Sequence, residues 1–585
     1  MLPTDPQLTA KRHTLAHLLA AAVLELFPDA KPTIGPAIDN GFYYDFEFAK
    51  PIAETDLKDI EKRMRKLLPS WKAMKGKEVD EKAAKEAFNG NPYKLELIDE
   101  IIAKKEPLTL YTAGDPSDRA GHHFTDLCRG GHSENPAKEI AADSFKLHRL
   151  AGAYWRGDEK NKQLTRIYGL AFNTKDELDA YVNMMKEAEK REHKKLGKQL
   201  GLFMFHETAP GMPYWLPKGV ILYNELVNFW REEHSRLGYQ EISSPLVNKA
   251  ELWKKSGHWD HYKDDMFIAD MGENEIYGIK PMNCPNAMIV FQSMQVSYKD
   301  LPLRLSDTDR LHRYERSGTL NGLLRARSFQ QDDSHNYVSE DMIADEYMHI
   351  FEICKKFYGI FGLEYSFRLG TRPAQFMGEA SLWDKAEKAL RDILEKSGRA
   401  YSVAEGDGAF YGPKIDILMK DSIGREWQMG TMQLDFQQPL RFGLEYTDKD
   451  GKKKTPVVIH RVIYGSLERF IGILIEHTAG NFPFWLSPIQ VKVIPVAEAF
   501  FEAASKAHAA LLTQRIRSEI DLSNDSFGKK VRNAKTEHIP YFIIVGEKDV
   551  TAGKVTLESR DKGQVGQLAI EDVLERFIEE IRGRR

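Results

Sequence analysis

The sequence predicts a multidomain α+β protein, and three observations support this prediction. The chain has 585 residues, which is enough for three or four domains with complete cores. Between residues 203 and 487, strand-like runs occur with blocks of helical periodicity, which favours an antiparallel sheet flanked by helices. After Ile489, single strands alternate with helices, which predicts a small α/β domain with a mainly parallel sheet.

Periodicity and composition divide the chain into four segments. Residues 1–168 form a first α+β unit, and residues 169–202 are predicted to form a linker helix. Thr174 and Glu177 have the spacing of a capping box, and Leu178, Val182 and Met185 recur at helical spacing. We therefore expect a linker helix of about seven turns. Residues 203–487 form the large mixed domain and residues 488–585 the C-terminal domain.

Composition excludes several classes of protein. The net charge is −4, so any nucleic-acid contact must be a local patch rather than a property of the whole chain. Three cysteines argue against a disulfide framework and for a reducing compartment. No apolar run reaches the length of a membrane span, and the N-terminus has no signal-peptide core. We therefore expect a cytoplasmic protein without a membrane partner.

The segment from Arg310 to His335 has the most specific pattern in the chain. It contains Arg-x-Glu, a glycine-bearing loop and then Arg-x-Arg-x-Phe-x-Gln. A site that forms an adenylate needs an arginine at the α-phosphate, a group that reads adenine and an aromatic face that stacks on the base. Arg313, Glu315 and Phe329 meet these needs. The segment resembles motif 2 of the class II aminoacyl-tRNA synthetases.

Two further segments resemble the other class II motifs in the expected order. An apolar helix starting at Gly465 carries Arg469, as in motif 3, which implies a contact with the γ-phosphate. Gly238-Tyr-Gln-Glu-Ile-Ser-Ser-Pro245 resembles motif 1, which implies a homodimer. Segments such as Ile-Lys-Pro-Met-Asn-Cys-Pro and Gly-Ala-Phe-Tyr-Gly-Pro-Lys-Ile-Asp are similar to those of the bacterial threonyl-tRNA synthetase family. The resemblance extends from Arg12 to the C-terminus.

This resemblance implies a ligase that activates threonine with ATP and Mg²⁺ and transfers it to tRNA(Thr). It implies one Zn²⁺ per subunit, held by Cys284, His335 and His460. A thiolate and two imidazoles also suit a tetrahedral zinc with one open position by their chemistry alone. The expected catalytic and binding residues for ATP and threonine are Arg313, Glu315, Arg325, Phe329, Gln428, Arg469, Gln331, Asp333, Tyr411, Lys414, Gln433 and Met282.

Amino-acid selectivity predicts a second, hydrolytic site. A site that binds the threonine hydroxyl rejects valine by roughly four orders of magnitude, but serine loses only a methyl group, which is worth about 1–3 kcal/mol. The family resolves this problem with an N-terminal domain that deacylates Ser-tRNA. The residues that match its editing site are His13, His17, Lys94, Asp126, Cys128 and His132.

The metal content of this second cluster has two interpretations. Three histidines and a cysteine form a plausible zinc site by their residue types. The family resemblance instead implies that the side chains activate water without a metal. Where the family usually has proline in the Cys-Arg-Gly-x-His turn, this chain has Gly131, which we expect to loosen the turn without removing chemistry.

The C-terminal domain resembles an anticodon-binding domain, with Asn524 and Asp549 at base-reading positions. Glu558 replaces a frequent arginine, which puts the detailed contacts in doubt. The sequence begins almost directly at the His13 helix, so we expect the family's small ubiquitin-like N-terminal domain to be missing, through truncation or because the enzyme is naturally short. Two other functions stay open: a non-catalytic RNA-binding paralogue that keeps the fold, and a sister class II ligase for serine or proline.

Overall fold

A computed structural model describes residues 5–114, 123–158, 160–273, 275–421 and 424–585. The chain divides into two compact units, residues 1–186 and 187–585. The boundaries that we predict at residues 168, 202 and 487 stay predictions. Within the described ranges, no helix combines the length and the apolar character needed to span a bilayer.

The first unit is built on a buried helix and two antiparallel sheets. Helix α1 buries Leu15, Leu18 and Leu19 in a core shared with Phe42 and Phe46. A five-stranded sheet has the order β1-β3-β8-β7, with β2 paired to β3, and a second sheet has the order β4-β5-β6. The helices are α1 Pro6–Leu26, α2 Leu57–Leu67, α3 Glu81–Ala87, α4 Pro92–Ala103 and α5 Pro136–Glu139, and the strands are β1 Lys31–Pro32, β2 Ala37–Ile38, β3 Gly41–Glu47, β4 Met74–Glu78, β5 Thr109–Ala113, β6 Phe124–Leu127, β7 Phe145–Tyr154 and β8 Gln163–Ala171.

The predicted linker is two helices rather than one helix of seven turns. Helix α6 spans Lys175–Arg191 and α7 spans His193–Gln199. The capping box is confirmed, because Thr174 Oγ1 accepts from the Glu177 N–H at 3.2 Å and Glu177 accepts from the Thr174 N–H at 3.4 Å. Glu192 has φ −53° and ψ 122°, and its side chain caps α7. The chain therefore begins a second helix at His193, where the charged sequence alone indicates that the first helix continues.

The mixed antiparallel sheet with flanking helices is confirmed in the second unit. Its order is β11-β15-β17-β24-β21-β20-β18-β19, with β16 also paired to β17, and only the outer pairs β11–β15 and β18–β19 are parallel. Its elements up to β20 are β9 Phe203–Met204, β10 Tyr214–Trp215, α8 Pro217–Arg236, β11 Tyr239–Glu241, β12 Val247–Lys249, α9 Ala250–Ser256, α10 His258–Tyr262, β13 Ile268–Asp270, β14 Ile276–Ile279, α11 Cys284–Gln292, β15 Leu303–Asp307, β16 Arg310–His312, β17 Ser328–Val338, α12 Ile343–Gly359, β18 Ser366–Gly370, α13 Ala380–Ser397, β19 Tyr401–Ala404 and β20 Lys414–Lys420. The elements that complete this region are β21 Glu426–Asp435, α14 Gln437–Phe442, β22 Tyr446–Thr447, β23 Lys453–Lys454, β24 Val457–Ser466 and α15 Leu467–Thr478.

Strand alternation gives this sheet two different faces. Ile415, Met432 and Ile459 enter a large core that also contains side chains of α8, α12, α13 and α15. Their neighbours along the strands, including Gln433 and His460, line a cavity instead. The sheet is therefore apolar where the helices cover it and polar at the candidate site.

The C-terminal domain has a mixed sheet, and our prediction of a mainly parallel one is wrong. Its order is β26-β25-β27-β28-β29, with two parallel and two antiparallel pairings. The antiparallel half arises because β28 pairs antiparallel with β27 and then forms a hairpin with β29, a strand that the sequence pattern did not predict. The elements are β25 Val491–Pro495, α16 Phe501–Thr513, β26 Ser518–Ile520, α17 Phe527–Thr536, β27 Tyr541–Val545, α18 Glu547–Ala552, β28 Val555–Ser559, β29 Gly563–Leu568 and α19 Ile570–Arg582.

Candidate functional site

Strand β17 carries four of the predicted site residues at every second position. Phe329, Gln331, Asp333 and His335 therefore share one face of the sheet. Asp332, between them, is fully buried and accepts from the main-chain N–H groups of Ile463 and Gly465. This interaction ties β17 to β24 on the side away from the cavity.

The sheet register brings the two predicted metal histidines together. His335 on β17 pairs with His460 on β24, and His460 pairs with Gln433 on β21. The imidazole centroids lie 5.0 Å apart. Cys284 enters from the first residue of α11, and one donor atom from each of Cys284, His335 and His460 lies within 4.8 Å of the others.

The donor atoms of this cluster fit a metal ion. All three side chains are buried, and both ring nitrogens of His335 have no hydrogen-bond partner. Asp435 Oδ2 lies 2.9 Å from His460 Nε2, while His460 Nδ1 has no partner. A carboxylate behind a histidine is the usual arrangement that orients a metal-binding imidazole. Burial raises the pKa of the Cys284 thiol, and the neighbouring His460 opposes this shift. A bound zinc ion would stabilise the thiolate further.

A cavity of about 390 Å³ opens beside this cluster and collects most of the predicted residues. Its far end carries several guanidinium groups. The predicted residues in its lining are Met282, Cys284, Arg313, Glu315, Arg325, Phe329, Gln331, Asp333, Tyr411, Gln428, Gln433, His460 and Arg469. His335 lies behind the lining, in contact with the other metal candidates.

Arg313 and Arg469 are cations without a carboxylate partner among the described residues. Arg313 Nε donates to the Pro281 carbonyl at 3.2 Å, and its guanidinium lies 5.2 Å from the centroid of the Phe329 ring. Arg469 donates to the carbonyls of Leu324 and Gln428 at 2.8 and 2.6 Å. Burial, followed by Arg313 and Arg325, lowers the pKa of Arg469 to about 10. This end of the cavity therefore favours an anionic ligand.

Other predicted residues are held by neighbouring side chains. Arg325 forms an ion pair with Glu315 at 2.8 Å, which fixes both at the rim of the cavity. The Tyr411 hydroxyl donates to Gln433, and the Tyr411 ring centroid lies 5.2 Å from that of His460. Lys414 is not part of the lining. Its ammonium forms ion pairs with Asp416 at 3.0 Å and Asp407 at 3.3 Å instead.

Sequence reasoning missed several residues that the fold adds to the cavity. Tyr262 and Phe410 contribute rings, and Thr431 and Ser466 contribute hydroxyls. The sequence could have predicted the place of Ser466, because a serine at the start of an apolar helix is typical of an N-cap residue. In the structure its Oγ accepts from the Arg469 N–H at 3.2 Å. Tyr262 ends α10 and Phe410 lies in a turn, and long-range packing brings both rings to the cavity, so no helix or strand periodicity marks them.

The first unit contains a second cluster, at a cavity of about 400 Å³. One donor atom from each of His13, His17, Cys128 and His132 lies within 4.8 Å of the others. Cys128 Sγ is 3.2 Å from His132 Nε2 and 3.6 Å from His13 Nε2. Burial lowers the pKa of His13 and of His17, and burial followed by the neighbouring imidazoles lowers that of His132 to about 2. The three imidazoles are therefore neutral at physiological pH, and His132 is a weak base.

A buried ion pair lies against this cluster. The Lys94 ammonium contacts Asp126, and both side chains are almost fully buried. The Tyr44 hydroxyl, which the sequence interpretation did not include, donates to Asp126 at 2.5 Å and accepts from Lys94 at 3.2 Å. Asp126 also lies 3.8 Å from His17 Nε2. All six predicted residues of this site thus lie together.

The turn between Cys128 and His132 has a conformation that proline cannot adopt. Gly130 has φ +95° and Gly131 has φ +82°, whereas a proline ring fixes φ near −65°. Gly131 therefore changes the path of the turn, which goes beyond the loosening that we expected. The Gly130 N–H donates to Cys128 Sγ at 3.3 Å.

The two predicted base-reading residues differ in accessibility. Asn524 is exposed in the loop before α17. Asp549 is only 5% exposed, and its carboxylate accepts from the Gly546 N–H, the Thr556 hydroxyl and the Gln567 amide. Glu558 forms an ion pair with Lys535 at 3.2 Å. A contact from Asp549 to a base would require it to give up one of these bonds.

Comparisons with known proteins agree over nearly the whole chain. Residues 267–478 match the family "tRNA synthetase class II core domain (G, H, P, S and T)", and residues 490–580 match "Anticodon binding domain". The threonine–tRNA ligase of Clostridium botulinum (strain 657) is 48% identical over 98% of this chain and 88% of the relative. That of Acetivibrio thermocellus is 47% identical over 98% of this chain and 89% of the relative.

Two solved structures have a similar fold. The RNA binding domain of threonyl-tRNA synthetase from Cryptosporidium parvum Iowa II aligns with a TM-score of 0.65 at 40% identity, covering 66% of this chain and 98% of that one. A putative threonyl-tRNA synthetase from Aeropyrum pernix aligns with a TM-score of 0.59 at 29% identity, covering 67% and 97%.

Proposed function

The chain belongs to the threonine–tRNA ligase family, and from that premise we propose how its residues perform the family's reaction. Threonine and ATP give threonyl-adenylate and pyrophosphate, and the threonyl group then moves to the terminal adenosine of tRNA. Class II synthetases use Mg²⁺ with ATP. One observation carries the assignment of residues: Cys284 and His460 of the Cys/His cluster line the same cavity as two arginines that have no carboxylate partner within the described ranges.

The arginine end of the cavity binds ATP. Arg313 contacts the α-phosphate, where negative charge increases as the threonine carboxylate attacks phosphorus, and Arg469 contacts the γ-phosphate. Phe329 stacks on adenine, and Glu315, oriented by Arg325, accepts from its amino group. Gln428 lies at this end of the cavity, and its main-chain carbonyl accepts a hydrogen bond from Arg469 that holds the guanidinium in place. Held guanidiniums lower the barrier because they need no reorganisation when charge develops.

The opposite end of the cavity binds threonine beside a zinc ion held by Cys284, His335 and His460. A zinc ion held by these three side chains would supply a Lewis acid for the amine and hydroxyl of the substrate. Asp333 accepts the substrate hydroxyl hydrogen bond. Gln331, Tyr411, Gln433 and Met282 line the remaining surface. We assign them as substrate contacts because they lie in the cavity wall. Lys414 is a weaker candidate, because Asp407 and Asp416 already pair with it.

Serine fits this pocket and is removed by the cluster of the first unit. The imidazole of His13, rather than that of His132 with its pKa of about 2, takes a proton from water, and the hydroxide attacks the ester carbonyl carbon of Ser-tRNA. The bond from that carbon to the ribose oxygen of the terminal adenosine then breaks, and the imidazolium returns its proton to this oxygen, which releases serine and tRNA. The Lys94–Asp126 pair orients His17 and the substrate at the cavity wall. Side chains that are already neutral and close to one another can do this without a metal, so we assign water activation to them.

The assembly is a homodimer with an isologous interface built around motif 1. Pro245 is exposed, and the side chains of Leu246 and Val247 next to it are 40% and 51% exposed. Asp309 accepts from the hydroxyls of Ser243 and Ser244 at 2.9 Å, which rigidifies the turn that leads to these exposed residues.

In the C-terminal domain, exposed Asn524 contacts an anticodon base of tRNA(Thr). Asp549 is buried and stabilises its own region of the fold from inside.

Amino-acid-dependent ATP–pyrophosphate exchange tests the proposed function. We expect exchange with threonine, weaker exchange with serine, and almost none with valine or proline. Arg313→Ala should reduce threonine-dependent exchange by roughly a hundredfold or more, as expected for a group that stabilises transition-state charge. Exchange with proline but not threonine would indicate a sister ligase. A folded protein that binds tRNA without any exchange would indicate a non-catalytic paralogue.

A further inference from the structure

Asn283 occupies the N-cap position of α11 but does not cap it. Asparagine is among the best capping residues, because its Oδ1 accepts from an N–H in the first helical turn. Here the side chain makes no capping hydrogen bond, and its Oδ1 has no partner although it is buried. The N–H groups of Asn286 and Ala287 are bonded to the main-chain carbonyl of Asn283 instead. The Asn283 side chain, which is suited to cap α11, is therefore free to make a different interaction.

The side chain of Asn283 contacts the carboxylate of Asp333, the residue that we propose binds the substrate hydroxyl. Its Nδ2 donates to Asp333 Oδ2 at 3.1 Å, and Asn283 is only 1% exposed. Within the described ranges, no other side chain donates a hydrogen bond to Asp333. Asp307, its cross-strand neighbour on β15, is a second buried acid near Asp333, and the structure gives no hydrogen bond between these two described side chains. Asn283 thus sets the orientation of the Asp333 carboxylate.

The segment that carries Asn283 is anchored on both sides. Lys280 Nζ donates to Asp309 at 2.7 Å and to Ser244 at 2.9 Å, and the Pro281 carbonyl accepts from Arg313. Cys284 then joins the cluster with His335 and His460. With both ends held, the Asn283 amide has a defined position relative to the cavity, as a recognition element requires.

We propose that Asn283 is a positioning residue for amino-acid recognition, which holds the Asp333 carboxylate in the orientation that accepts the substrate hydroxyl. The inference rests on the proposed function, because it assigns Asp333 to threonine. It makes Asn283 a determinant of selectivity between threonine and valine, although Asn283 itself does not line the cavity. A purely structural role would instead affect protein stability and the binding of ATP and threonine together.

Asn283→Ser and Asn283→Ala in the full-length zinc-bound protein separate these roles. Serine caps helices well, and alanine removes no capping hydrogen bond because the Asn283 side chain makes none, so α11 should keep its stability. Serine is too short to reach Asp333, and alanine has no group that donates a hydrogen bond. We expect the KM for threonine in pyrophosphate exchange to rise roughly tenfold or more in both variants. The KM for ATP, the zinc content and the melting temperature should stay near wild type, and the preference for threonine over valine should fall.

Two results would overturn the proposal. One is an unchanged threonine KM and an unchanged threonine-to-valine preference in either folded variant. The other is a loss of zinc and of melting temperature in both variants, or an equal rise in the KM for ATP and threonine, because these indicate a structural role. Wild-type protein that shows no threonine-dependent exchange would instead refute the proposed function, so the two failures are distinguishable.

Discussion

Cys284 and Cys354 show how two buried thiols differ in their surroundings. Burial raises the pKa of both, that of Cys354 to about 12. Cys354 packs inside the large apolar core of the second unit, whereas Cys284 lies beside the imidazoles of His335 and His460. Only Cys284 therefore has the neighbours that turn an inert thiol into a metal ligand.

We predict that one zinc ion per chain copurifies with the protein and that Cys284→Ala loses it. Removing one of three protein ligands leaves two imidazoles, which bind zinc far more weakly. Elemental analysis after dialysis gives the measurement. Cys354→Ala is the matched control and should keep the metal, since it removes a thiol of equal burial. Undiminished zinc in Cys284→Ala would contradict the assignment.

The Gly130–Gly131 turn is the element that sets the geometry of the hydrolytic cluster. Both glycines have positive φ, and the turn connects two members of the cluster over four residues. An added Cβ at Gly131 would meet only His13 Nδ1, at 4.0 Å, so space is not the constraint. The constraint is the backbone conformation, which costs a residue with a side chain about 1 kcal/mol or more.

We predict that Gly131→Ala slows hydrolysis of Ser-tRNA roughly tenfold to a hundredfold, because the strained turn shifts Cys128 relative to His132. Threonine-dependent exchange should stay at the wild-type level. Gly157→Ala is the matched control, since Gly157 has φ +70° with open space around it and belongs to the same unit. Equal hydrolysis by the two variants would show that the turn does not position the cluster.

At the scale of the whole molecule, two clusters lie in different compact units. His13 and its partners belong to the first unit, and the cavity with Arg313 belongs to the second. Binding alone separates threonine from valine but not from serine. The two units therefore address different parts of one selectivity problem.

We predict a double dissociation between the units. His13→Ala should leave threonine-dependent exchange near wild type, while mischarged Ser-tRNA accumulates in aminoacylation assays with serine. Arg313→Ala should do the reverse: exchange is lost, and supplied Ser-tRNA is still hydrolysed. If His13→Ala abolished exchange and kept Ser-tRNA hydrolysis, the proposed division of labour would be wrong.

The dimer is also a prediction about the whole molecule. Sedimentation velocity at micromolar concentration should give a dimer, and Val247→Glu should shift it toward monomer by placing a charge in an apolar contact. Ile268→Glu, at a similarly exposed apolar residue of the same small sheet, tests whether the effect is specific to the motif 1 end. A wild-type monomer at this concentration would exclude the interface.

Local sequence was sufficient where the pattern itself encodes the structure. The alternation Phe329, Gln331, Asp333, His335 places four side chains on one face of a strand, and the Thr174–Glu177 spacing gives a capping box. Glu192 shows the limit. Nothing in the charged run around it marks a break, and the new helix that it caps is stabilised by contacts such as His193 with Glu476, 283 residues away.

By itself, the sequence determined the residue types of both clusters, the class II motifs and the family, because these depend on short sequence patterns and on segments that are similar to those of the family. Tertiary structure alone decided which of those residues meet. Sheet register set His335 beside His460, and packing brought Cys284 to these two histidines and the Asn283 amide to Asp333, 50 positions away. The reason is physical: strand pairing and burial join residues tens to hundreds of positions apart, and no local periodicity carries that information.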